Sequence, residues 1–177
     1  MVNLIYITIL AFFIFLVYIS GKNNHTNLWC VCAGLLLSLG VIKELFFYNA
    51  APYLELHFDL SSQTAADIYS ILTWILYTFA MSACVIFAMN FAGIPTSRPA
   101  IYRGFQLTSV LCILFFSIRF TPLEFRVHQM EDPQFWHFFS TYNLILGTLF
   151  TFIIMNAILR EKDPAARKQK TLIAIII

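Results

Sequence analysis

Leu159-Arg160-Glu161-Lys162-Asp163-Pro164-Ala165-Ala166-Arg167-Lys168-Gln169-Lys170-Thr171-Leu172-Ile173-Ala174-Ile175-Ile176-Ile177 decides the fold class of this chain. A long apolar run ends at Leu159, a cationic loop follows, and apolar residues resume at Thr171. Hydrophobic helix, basic loop, hydrophobic helix is the pattern of a membrane protein at a cytoplasmic turn. Within the turn, Asp163 suits a helix N-cap and Pro164 a first helical position. A helix is therefore expected from near Ala165 into Thr171–Ile177. Those seven residues cover roughly 10 Å of a hydrocarbon core about 30 Å thick. The expectation is a partial sixth membrane helix, in a fragment of a longer protein.

Composition fixes the solvent. Sixty per cent of the residues are hydrophobic and 11% are charged, whereas soluble domains average about a quarter charged. Net charge is only +2, so the position of each charge carries the information. Basic residues sit at helix ends and form no nucleic-acid patch, so no nucleic-acid partner is expected. Met1-Val2-Asn3-Leu4-Ile5-Tyr6 lacks the positive charge that opens a secretory signal peptide.

Five segments are long enough to span: about 3–20, 28–48, 68–91, 101–120 and 135–159, with a partial one at 171–177. Breakers separate them: Gly21-Lys22-Asn23-Asn24, Ala51-Pro52, Gly93-Ile94-Pro95, Thr121-Pro122 and Asp132-Pro133. The expected fold is an all-α integral membrane protein. It is a polytopic bundle of five complete transmembrane helices and a partial sixth, in one membrane domain over 1–177. The runs lack the period-two alternation of barrel strands.

Orientation follows from the loop cations. Lys22, Arg98, Arg103, Arg160, Lys162, Arg167, Lys168 and Lys170 fall on one side, and Arg126 alone on the other. The expectation is a multi-pass plasma-membrane protein with its N-terminus outside and the Arg160–Lys170 loop in the cytoplasm. Glu55, Asp59, Asp67, Glu124, Glu131 and Asp132 make the outer loops acidic. Those loops are too short for a separate receptor domain, so any sensing falls to the bundle itself.

No nucleotide-binding, hydrolase or metalloprotease signature is present. His25, His57, His128 and His137 are scattered, and Cys30, Cys32, Cys84 and Cys112 lie in apolar stretches. No metal, cofactor or catalytic residue is expected.

Charges inside hydrophobic segments are more informative. Lys43 and Glu44 precede the outer end of the second segment, and Arg119 ends the fourth. Neighbours on a helix point about 100° apart, so Lys43 and Glu44 are poorly placed to pair with each other. Arg119 is the expected partner of Glu44. Two readings stand: the cations snorkel to the headgroups, or the three side chains form a polar pocket in the outer half of the bundle. Tyr48, Tyr69, Trp74, Trp136, His137 and Tyr142 fall at similar depth. They suit an aromatic interface belt, and Tyr48, Trp74 and His137 could also line a ligand pocket. Gly34, Ser38 and Gly40 offer a close packing face. Asn90, Asn143 and Asn156 could hydrogen-bond across helices.

Three stretches together resemble the N-terminal seven-helix membrane region of bacterial sensor histidine kinases. They are Asp67-Ile68-Tyr69 through Thr73-Trp74-Ile75-Leu76-Tyr77-Thr78-Phe79 to Met89-Asn90-Phe91-Ala92-Gly93, the Phe120-Thr121-Pro122 exit, and Leu159–Lys170. The resemblance implies the input region of a two-component system. The kinase would be a homodimer responding to a small-molecule or membrane stimulus and acting on a cytoplasmic response regulator. Its catalytic domains are missing from these residues. Related membrane regions precede diguanylate cyclase domains, which is one alternative. The other is a small complete polytopic membrane protein, either a transporter component or an accessory subunit.

Overall fold

The computed structural model describes residues 11, 14, 17, 18, 25–58, 62–119 and 133–176. All secondary structure among them is helical. In chain order the elements are α1 (His25–Phe58), α2 (Ser62–Phe91), α3 (Ile94–Ser97), α4 (Pro99–Arg119), α5 (Pro133–Leu159) and α6 (Pro164–Ile176).

Three of these helices are long and apolar enough to cross a membrane: Thr26–Phe47 in α1, Leu72–Phe91 in α2 and Trp136–Leu159 in α5. They point to a multi-pass membrane protein. Five complete spans are not found among the described residues. The expected first span, 3–20, lies almost wholly outside them. The fourth is present as the helix α4, but Arg103, Gln106, Thr108 and Ser109 fill its early turns with polar groups and shorten its apolar stretch. Helix boundaries also move. The Ala51-Pro52 breaker lies inside α1. A proline removes one backbone hydrogen bond, and the residues on both sides of it remain helical here. The second long helix begins at Ser62, six residues before the expected Ile68.

α2 is the buried centre, packed on α1, α4 and α5. Val85, Phe87, Ala88 and Met89 of α2 form the core with Leu146, Ile153 and Ile154 of α5. Opposite that seam, Leu144 is 70% exposed and Phe152 65%. Such large apolar side chains facing outward suit lipid rather than water. Between helices in lipid, close packing supplies what the hydrophobic effect cannot. Gly34 of α1 lies against Ile14, and Gly40 against the Tyr77 ring, so each small residue admits a close neighbour, on different sides of α1.

The turns are built from local chemistry. Gly93 adopts φ 68°, a left-handed conformation that costs glycine little, and it reverses the chain after α2. The Thr96 and Ser97 hydroxyls both donate to the Gly93 carbonyl at 2.9 Å. At the other turn, the Asp163 carboxylate accepts from the Ala165 N–H at 3.0 Å, and Pro164 opens α6. The guanidinium of Arg167 donates to the carbonyls of Glu161 (2.8 Å) and Leu159 (3.3 Å), covering carbonyls that the end of α5 would leave unpaired. Lys170 pairs with Glu161 at 2.7 Å. That hydrogen bond holds the Glu161 carboxyl below its ordinary range. The clip is therefore fully formed above the ordinary carboxylate pKa and is lost as pH falls through the lowered one.

Candidate functional site

A polar joint links α1 to α2 one turn inside the end of the Thr26–Phe47 span. Lys43 is buried, with 3% of its side chain exposed, and its ammonium lies 3.0 Å from Glu44 Oε1. It also donates to Thr73 Oγ1 across the helix interface. The Tyr69 ring lies 3.9 Å from the ammonium, and the Tyr77 ring 5.6 Å. Tyr69 Oη donates to Glu44 Oε2 at 2.7 Å. Thr73 Oγ1 donates to the Tyr69 carbonyl at 2.7 Å. The ammonium thus joins the carboxylate and the Thr73 hydroxyl, and Tyr69 engages both, its phenol on the carboxylate and its main-chain carbonyl on Thr73.

Each part has a sequence cause. Tyr69, Thr73 and Tyr77 recur every four residues and so share one face of α2. Gly40, one turn before Lys43 on α1, has no side chain, and the Tyr77 ring comes within 3.2 Å of where a Cβ would stand. That approach brings the two helices close enough for Lys43 to reach Thr73. Phe47 packs edge-on to Tyr69 at 5.3 Å.

Two expectations change here. Lys43 and Glu44 do pair with each other: both side chains are long, and Tyr69 and Thr73 draw both toward α2. Lys43 does not snorkel; it is satisfied inside the protein. Thr73 and Tyr77 are not singled out by the sequence as polar partners, although they follow Tyr69 at successive four-residue steps.

Of the other sequence-derived candidates, the two whose side chains are described, Trp74 and His137, are not part of the joint. Trp74 is 3% exposed and packs on α5, with Phe139 at 6.1 Å and Tyr142 at 6.3 Å. His137 sits exposed on α5. The side chains of Tyr48 and Arg119 lie outside the described residues, so the expected Glu44–Arg119 pair does too. Of the three asparagines, Asn90 reaches across helices, donating to Tyr102 Oη at 3.2 Å. Asn143 and Asn156 bond back to their own helix at Phe139 and Phe152.

Chemically, the joint holds one buried positive charge beside a partly exposed carboxylate. Among the described residues it holds no nucleophile–base pair, and no three metal-ligating side chains group together. Comparison with protein-family models, curated proteins and solved structures finds no match to this chain.

Proposed function

We propose that this chain is a membrane-embedded signal-input region, of the kind that feeds a two-component sensor histidine kinase. The supporting observation is that one helix touches both ends of a signalling path. α2 carries Thr73 and Tyr69, the partners of the Lys43–Glu44 pair. About 27 Å further along, at 1.5 Å per residue, α2 ends at Phe91, whose ring lies 5.7 Å from the Lys170 ammonium of α6. Ala174 of α6 packs against the same core cluster. A stimulus that opens or tightens the α1–α2 joint would shift α2 as a rod, and α6 would register the shift.

In this reading the chain sits in a bacterial plasma membrane with its N-terminus outside and α6 on the cytoplasmic side. The α1, α2 and α5 spans cross the membrane, and α6 begins a further apolar segment. The stimulus is a small molecule or a membrane property acting at the outer half of the bundle. The kinase works as a homodimer on a cytoplasmic response regulator, and its catalytic domains lie outside these residues.

Reporter fusions test the orientation this requires. Fusions after Ser97 and after Ala166 should report cytoplasm, and fusions after Ser61 and after Met130 should report the exterior. The eight-to-one cation bias sets this expectation. An external signal after Ala166 would place α6 on the wrong side for any cytoplasmic output.

A further inference from the structure

The cationic end of the bundle holds a second, separate site. A cavity of about 400 Å³ opens where the α2–α3 turn, the start of α4, the end of α5 and the start of α6 meet. Its volume lies within the roughly 300–1,000 Å³ of small-ligand sites. The inner wall is apolar: Met89, Ile101, Leu149, Phe152 and Ile153. Its mouth is polar and cationic, with Arg98, Arg160 and Lys170 beside Glu161. Lys170 is neutralised by Glu161 at 2.7 Å. Among the described residues, no hydrogen bond or ion pair involves the guanidinium of Arg98 or of Arg160.

Depth gives the two halves meaning. The α2 and α5 candidate spans end at Phe91 and Leu159. Met89, Leu149, Phe152 and Ile153 precede those ends, and Arg98 and Arg160 follow them. The cavity thus crosses the boundary from hydrocarbon to headgroup. Ile101 is 51% exposed and Phe152 65%, so the apolar wall opens sideways to lipid. Net charge at the mouth is positive, and basic recesses between membrane helices at this level suit anionic headgroups.

We infer that this cavity binds an anionic phospholipid from the adjoining leaflet, its phosphate on Arg98 and Arg160 and one acyl chain along Ile101, Phe152 and Ile153. Such a lipid would bridge α4 to α5 at the base of α6. The inference rests on the cavity and the membrane placement alone, not on the signalling reading.

Binding of phosphatidylglycerol, phosphatidylcholine and inorganic phosphate to the full 177-residue chain in detergent, by native mass spectrometry and thermal shift, tests it. Phosphatidylglycerol should be retained and raise the unfolding midpoint. Phosphatidylcholine should bind at least tenfold more weakly, and phosphate alone should leave the midpoint unchanged. R98Q/R160Q should weaken phosphatidylglycerol binding at least tenfold. I101W, which fills the apolar wall and keeps both arginines, should do the same and serves if the arginine variant does not fold. Equal retention of both lipids, or unchanged binding in the variants, overturns the inference. An equal shift from phosphate overturns it in favour of a free-anion site.

Discussion

Glu44→Gln should destabilise the protein by about 3 kcal/mol, and Lys43→Met by about 1 kcal/mol or less. The two partners of the same ion pair are not equivalent, because their burial differs: 3% of the Lys43 side chain is exposed, against 25% of Glu44. Removing Glu44 strands an ammonium inside the bundle with Thr73 and the Tyr69 and Tyr77 rings as its remaining company. Breaking a buried pair from one side costs about 3–5 kcal/mol, mostly through the charge left behind. Removing Lys43 strands a carboxylate that keeps the Tyr69 hydroxyl and part of its exposure, so the cost is small. The double variant K43M/E44Q should behave like K43M alone, giving a coupling energy of about 3 kcal/mol in magnitude. Thermal unfolding of the four proteins in detergent measures this. A larger loss in K43M than in E44Q would mean that Glu44, not Lys43, is the charge the bundle has buried.

Trp74→Ala should cost about 3 kcal/mol, by a different mechanism. Trp74 fills the seam between α2 and α5 against Phe139 and Tyr142. Large-to-small changes in a packed core cost about 3–5 kcal/mol. The lower figure applies because lipid is itself apolar, so loss of packing contributes more than loss of burial. Trp74→Phe keeps most of the contact and should cost about 1 kcal/mol. The same unfolding measurement separates a packing residue from one in an interface belt, whose replacement by alanine would change the midpoint little.

The readable part of this molecule lies in hydropathy and punctuation. The α5–α6 turn follows from Asp163 and Pro164, which cap and open a helix by local chemistry alone. The close approach of α1 depends on missing side chains at Gly34 and Gly40, which a sequence displays. The joint was half legible. Lys43 and Glu44 stand out as charges in an apolar run, but helical geometry alone points them apart. Their pairing depends on what α2 presents to them, and no feature of α1 contains Tyr69 or Thr73. Pro52 misled for a related reason: a breaker signals a helix end only when the residues beyond it do not remain helical. The cavity at the cationic end was not legible either, because four separate segments build it.

Coupling between the joint and α6 is the central claim, and a spin-label distance tests it most directly. With the four native cysteines replaced by alanine, labels at Thr108 of α4 and Gln169 of α6, both exposed, report where α6 sits against the bundle. In E44Q, with the protein still helical and monodisperse, the distance distribution should shift or broaden by several ångström. In K43M/E44Q, whose joint holds no stranded charge, it should return close to the parent distribution. An E44Q distribution that superimposes on the parent would contradict the account, since the joint would then be a local structural contact that α6 does not sense.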